Sequence, residues 1–140
     1  IGIFMNLIEG VTVENFRVMC DERVWLIEIL RYDDEIFSKF GQMYITTVYP
    51  GAVKAWNYHK KQTDHLTCIR GMMKVVLYDG MEGSRTYKLI NEFFIGHHNS
   101  IVIKVLPMIY YELYYYKNPD EHHLPPETRE IDFDRGLPWE

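Results

Sequence analysis

The residues best able to do chemistry fall within one run, Gly51 to Gly71, which reads GAVKAWNYHKKQTDHLTCIRG. It holds two histidines (His59 and His65), one acid (Asp64) and three lysines. Histidine is the side chain whose ordinary pKa lets it take up or release a proton near neutral pH. Asn57 and His59 are two residues apart, so on a strand they share a face. An amide donates and accepts hydrogen bonds but cannot take up a proton, so of these two only His59 can act as a base. Gln62 and Asp64 are spaced to orient neighbours on the same segment. The plainer alternatives are a solvated turn lysine at Lys54 and a partly buried structural histidine at His65.

The elements that must position this run read as strands. Gly10 to Met19 alternates apolar and polar, Asp21-Glu22-Arg23 forms a turn, and Trp25 to Leu30 returns as a second strand. Arg31 to Phe40 predicts one short helix, capped by Asp33 or Asp34, with Ile36 and Phe40 four apart on one face. Met43 to Val48 is β-branched and aromatic and predicts a strand ended at Tyr49-Pro50-Gly51. His65 to Ile69 and Met72 to Tyr78 predict a hairpin about Arg70-Gly71, closed by Asp79-Gly80. Thr86 to Ile90 and Ser100 to Val105 add two further strands. Short strands at regular spacing, punctuated by Gly and Pro, predict an all-β sandwich or barrel.

A chain of 140 residues predicts one domain, with its core over about 10–116. From Lys117 the sequence turns proline-rich and charged, and 117–140 is expected to run over the surface as an extended tail. A net charge of −5 excludes a general nucleic-acid or membrane-surface binder, though a local basic pocket for a phosphorylated ligand remains open. Cys20 and Cys68 follow no metal spacing and are too few for a disulfide scaffold, which predicts a reduced, cytoplasmic setting. No apolar run approaches the roughly 18–20 residues of a membrane span. The opening residues also lack the basic start of a signal peptide.

The spacing Gly51-x5-Asn57-x-His59-x4-Asp64-x6-Gly71 resembles the first cupin motif. Over a longer range the chain resembles the dTDP-4-dehydrorhamnose 3,5-epimerase family and its relatives. The matching pieces are DERVWLIEILR, FGQMYITTVYPGAVKAW, HKKQTDHL, GMMKVVLYDGMEGSRTYKLINEFFIGHHN and NPDEHHLPPETREIDFD, in family order from about Gly10 to Asp134. The resemblance implies an all-β, cupin-type jelly-roll (a double-stranded β-helix), here with the short helix and the extended C-terminal tail. It further implies a homodimer, a nucleotide-sugar substrate held in the barrel, and a reaction on a 4-keto sugar that needs no metal or other cofactor. A ketone acidifies the neighbouring C–H bonds, so a base can remove a proton to leave an enolate, which an acid on the opposite face reprotonates with inversion. A positioned base contributes about 10²–10⁴-fold and each donor to the oxyanion a few kcal/mol.

Carried over residue by residue, the resemblance gives Lys54 a diphosphate contact and Arg23 a nucleotide contact, often across the dimer. It makes Glu28 and Gln42 ligand-lining. Asn57 stands where the family has its catalytic histidine, which leaves His59 as a displaced base. His65 falls where the family has a lysine that steadies the enolate oxygen. Tyr114 and Tyr116 are both candidates for the catalytic tyrosine, because Glu112-Leu113 passes almost directly into Tyr114 where relatives carry a turn and further strands. The carboxylate that partners the family's catalytic histidine has no clear counterpart. Two rival readings follow: a sugar-nucleotide-binding cupin with impaired catalysis, and a metal-dependent small-molecule cupin ligated by His59 and Asp64. The second would need a histidine where this chain has Tyr111, a poor match for such a site, so Tyr111 is read as lining the substrate.

Overall fold

The computed structural model describes residues 5–114, with Tyr114 described for its backbone only. These residues form nine strands and no helix: β1 (Val11–Asn15), β2 (Arg17–Cys20), β3 (Trp25–Glu28), β4 (Val53–Tyr58), β5 (Asp64–Leu66), β6 (Met72–Asp79), β7 (Ile90–Gly96), β8 (Ile101–Val105) and β9 (Ile109–Tyr114). A three-stranded sheet in the order β1-β8-β5 faces a four-stranded sheet in the order β4-β9-β6-β7, and β2 pairs with β3 in a two-stranded ribbon. Every pairing is antiparallel. The expected all-β jelly-roll is what forms.

The core lies between the two larger sheets. Alternate residues of each strand enter it: Val75 and Leu77 from β6, Phe93 and Ile95 from β7, Ile101, Ile103 and Val105 from β8, and Ile109, Tyr111 and Leu113 from β9. A smaller cluster of Trp56, Val76 and Tyr78 lies on the other face of the four-stranded sheet, with Tyr110 packed against it. Val48 packs against both clusters.

Five local expectations are corrected. The stretch from Gly10 to Met19 is two strands, broken at Phe16, whose N–H bonds to Ser100 O at 3.0 Å. Its halves pair in different sheets, which lets the chain cross from core to ribbon. Arg31 to Phe40 is two tight turns rather than a helix. Asp34 accepts the Arg31 N–H at 2.6 Å and Asp33 takes the Arg31 guanidinium, so the acids close turns on themselves instead of capping an α-turn. Met43 to Val48 forms no strand: Met43, Tyr44 and Ile45 are exposed, and no described strand lies beside them to complete a ladder.

His65 to Ile69 and Met72 to Tyr78 do not pair as a hairpin. Asp64, His65 and Leu66 pair with Val105, Lys104 and Ile103 of β8, whereas β6 lies between β7 and β9 in the other sheet. The jelly-roll crossing therefore falls where turn chemistry alone suggested a reversal. Thr86 to Leu89 is turn, with β7 starting at Ile90, because the buried Asp79 carboxylate gathers Ser84 Oγ, Thr86 Oγ1 and the Met81 N–H. The turn at Asp21-Glu22-Arg23 does form, with Asp21 Oδ1 accepting the N–H groups of Arg23 and Val24. Residues 117–140 lie outside the described residues.

Candidate active site

Among the described strands β4 stands at one end of the four-stranded sheet and pairs with β9. Its register shifts between Lys54 and Asn57, a bulge that re-aims the strand just before the residues of interest. Beyond the bulge Asn57 lies directly opposite Tyr111, and opposed residues share a face of the sheet. Tyr111 belongs to the core cluster, so Asn57 also faces inward and is half-buried.

His59 follows immediately after β4. Its carbonyl accepts the Met108 N–H at 2.8 Å, which ties it to the turn that leads into β9. Its ring is 7% exposed. Nε2 lies 3.1 Å from Asp64 Oδ2 and 3.3 Å from the Tyr111 hydroxyl. Asp64 opens β5 opposite Val105, a core residue, so its carboxylate faces inward from the other sheet. Gln62, in the connection between β4 and β5, donates Nε2–H to Asp64 Oδ1 at 2.6 Å. One carboxylate thus receives donors from the end of β4, from the β4–β5 connection and from β9.

Burial pushes the Asp64 carboxyl up, but hydrogen bonds from His59, Gln62 and Tyr111 and the charge of His59 outweigh it and hold it below the usual range. Asp64 is therefore an anion at neutral pH. An ionised carboxylate only accepts, so His59 Nε2 must be the donor between them, and the lone pair of a neutral ring sits on Nδ1. Such a carboxylate can fix the orientation of the ring and stabilise an imidazolium at this position.

The other predicted residues are dispersed. His65 pairs with Lys104, between two inward-facing neighbours, so it lies on the outer face of its sheet, where Nε2 donates to the Ile36 carbonyl at 2.8 Å. The structure does not bring it to His59. Lys54 is exposed and its Nζ reaches Thr46 Oγ1 at 2.7 Å. Arg23, 77% exposed at the tip of the β2–β3 ribbon, pairs with Asp21 at 2.9 Å. Gln42 is exposed in the segment before β4.

Glu28 sits 3.4 Å from Arg31 in a groove of about 630 Å³ that also takes in Glu14, Arg17, Asp33 and Glu35. None of the residues of the His59 cluster lines that groove. Tyr114 enters through its backbone alone, opposite Val53 and Lys74, and Tyr116 lies outside the described residues. Among the described residues no group of three or more His, Cys, Asp or Glu side chains is arranged to hold a metal ion. The sequence reading missed the bond between Tyr111 and His59, which are 52 residues apart. The His59-x4-Asp64 spacing was the available signal for the carboxylate.

No protein-family model matches the chain. It is 34% identical over 140 residues to the probable low-salt glycan biosynthesis epimerase Agl13 of Haloferax volcanii, covering 86% of this chain and 90% of that one. It is 30% identical over 144 residues to the spore coat polysaccharide biosynthesis protein SpsL of Bacillus subtilis, covering 91% and 95%. Among solved structures, a dTDP sugar isomerase from Desulfovibrio desulfuricans superposes with a TM-score of 0.73 at 31% identity, over 76% of this chain and 69% of that one.

Proposed function

The chain belongs to the dTDP-4-dehydrorhamnose 3,5-epimerase family of the cupin superfamily, as a divergent member, and from that membership we propose that it is a sugar-nucleotide isomerase acting beside a C4 ketone. The observation that carries the reading is the inward-facing His59, 3.1 Å from a half-buried carboxylate and close to Asn57 in the chain. The family's base position holds an amide, yet a proton-accepting group backed by an anion stands two residues on.

In this reading His59 removes the proton from C3 or C5 of a 4-keto-6-deoxy sugar. The electron pair of the broken C–H bond moves onto the ketone oxygen as an enolate, which Asn57 can meet with an amide N–H. A proton returned from the opposite face by Tyr114 or Tyr116 inverts the carbon; His59 then gives its proton to solvent and the tyrosinate takes one from solvent, which closes the cycle. Proton transfer of this kind is balanced without any cofactor. Lys54 serves the diphosphate, and Gln42 and Glu28 line the ligand. His65, bonded to Ile36, holds the turns over the outer face.

We assign the nucleotide contact of Arg23, exposed at the tip of its ribbon, to a second copy in a homodimer. Support comes from the β2–β3 ribbon, which pairs with no other described strand while Val18, Met19, Val24, Trp25 and Leu26 stand exposed on it. The work of such an enzyme is deoxysugar supply for polysaccharide synthesis, placed in the cytoplasm in keeping with free thiols at Cys20 and Cys68.

The test is incubation with dTDP-4-keto-6-deoxyglucose in D₂O, with NMR of the sugar ring. Deuterium at C3 or C5 is expected, and His59→Ala should abolish it. Bound dTDP-sugar without exchange would replace this reading with that of a binding module that has lost its base.

A further inference from the structure

We propose that Met108 is a positioning residue for His59, a strained turn residue whose thioether is held by the Tyr58 hydroxyl so that its N–H fixes the point at which the base leaves β4. This rests on the reading of His59 as the base.

Met108 follows Pro107 in the turn between β8 and β9, with φ of 75°. Proline ahead of a positive φ is the pattern of a type II turn, whose second central position suits glycine and strains an L side chain. Such strain persists where the surroundings hold it in place, and at Met108 they do so from two directions. The Met108 N–H donates to the His59 carbonyl at 2.8 Å, which carries the contact between β4 and β9 one step past the pair Tyr58 and Tyr110. The Tyr58 hydroxyl donates to Met108 Sδ at 2.9 Å. One residue thus grips two consecutive residues of the chain, Tyr58 by its side chain and His59 by its backbone.

A thioether is a weak acceptor, so what makes the grip firm is the confinement of the donor. The Tyr58 ring stacks on Tyr110, with centroids 4.4 Å apart and planes inclined by 23°. Tyr110 in turn lies against Tyr78, and so close to Gly80 that a Cβ there would come within 2.8 Å of its ring. Tyr58 points to this outer face of the sheet, whereas His59, next in the chain, points inward to Asp64. What fixes Tyr58 and Met108 on one side therefore fixes the height of the imidazole on the other. Glycine in place of Met108 would keep the N–H and relieve the strain, so what methionine adds is the sulfur contact. A base misplaced by about 1 Å can lose ~10²-fold in rate, which sets the scale of the effect.

The experiment joins the deuterium wash-in assay on the full chain to ¹H–¹³C NMR of the His59 ring, assigned by the signal lost in His59→Ala. Met108→Leu keeps the bulk without the acceptor, and kcat for wash-in should fall ~10-fold or more while KM stays within about twofold. Tyr58→Phe keeps the stack without the donor and should lose as much. Because both act through one contact, the double substitution should lose no more than either alone. Met108→Gln, of similar length and with an acceptor oxygen, should recover kcat to within about threefold of the wild type. Met108→Gly should lose turnover as Met108→Leu does, while its urea midpoint lies at or above that of Met108→Leu. The ring signal should move in Met108→Leu and Tyr58→Phe and return in Met108→Gln.

An unchanged kcat in Tyr58→Phe overturns the proposal, and that variant, which loses only a hydroxyl, decides it even if no substitution at Met108 folds. Additive losses in the double substitution also overturn it. Met108→Gln falling to the level of Met108→Leu would make Met108 a packing residue instead. Absence of wash-in by the wild type would remove the reading of His59 as the base, and the ring signals would still decide whether the contact positions His59.

Discussion

Asn57 and His59 share a face and differ in one decisive property, the ability to hold a proton. The family chemistry needs that ability at the first position, and this chain carries it at the second. If the displacement is real, restoring the usual residue should add to a working site rather than repair a dead one. Asn57→His is expected to raise the wash-in rate, by up to the roughly 10²–10⁴-fold that a positioned base contributes, as measured by deuterium incorporation at fixed substrate. No gain would mean that the inward face opposite Tyr111 does not meet the sugar.

Asp64 makes a separate prediction for stability. Its folded pKa is depressed below its ordinary value of 3.8, so its stabilisation is present in full above that value and is lost as pH falls through the lower folded value. The urea stability gap between the wild type and Asp64→Asn should therefore be widest near neutral pH and narrow below about pH 4. A gap independent of pH down to about 2 would show that the carboxylate is not stabilised by its partners.

At the scale of elements, the four-stranded sheet depends on how closely the end of β7 approaches the start of β6. Gly96 ends β7 with φ of 143°, opposite Met72, and a Cβ there would collide with the Gly71 carbonyl. That carbonyl also accepts the His97 N–H at 3.0 Å, so it cannot retreat without losing a bond. Gly96→Ala is expected to destabilise the fold by at least about 2 kcal/mol, measured by urea unfolding, from backbone strain and the clash together. A loss under about 0.5 kcal/mol would show that the backbone around Gly71 and Gly96 has slack.

Elements also decided what the strand pattern could not. Periodicity found β8 almost to the residue, because both of its faces lie against other parts of the chain. The same kind of pattern in Met43 to Val48 found no strand, since β-propensity describes a fit to a pleated surface and no described strand pairs with this segment. The acids of Arg31 to Asp34 read as helix caps, and their side chains instead bonded to the nearest backbone and guanidinium donors.

At the scale of the molecule, two sheets enclose one core while the ribbon of β2 and β3 stands apart with apolar side chains on view. A two-stranded ribbon is marginal alone, and Met43 and Ile45 extend the exposed apolar surface in sequence toward β4. The homodimer reading predicts a solution mass near twice the 16.8 kDa of the chain. Trp25→Glu, a charge placed on the exposed ribbon, should shift that mass to the monomer in sedimentation equilibrium with the jelly-roll intact by circular dichroism. A monomeric wild type at micromolar concentration would remove the second copy and, with it, the proposed role of Arg23.

By itself the sequence determined the fold class and the family, and it singled out the short run in which His59 and Asp64 lie. Those depend on local alternation, turn residues and motif spacing, all of which are written within a few tens of residues. It also placed Asn57 at the base position and left His59 as the alternative. Only the tertiary structure decided which acid serves that histidine and which tyrosine touches it. Asp64 reaches His59 from a strand of the opposite sheet, and Tyr111 reaches it across a β4–β9 register shifted by a bulge. Likewise, only register could send His65 to the outer face, one position from Asp64 in sequence and on the other side of the sheet in space. Pairing between distant strands fixes which side of a sheet a residue faces, and no spacing within one strand contains that information.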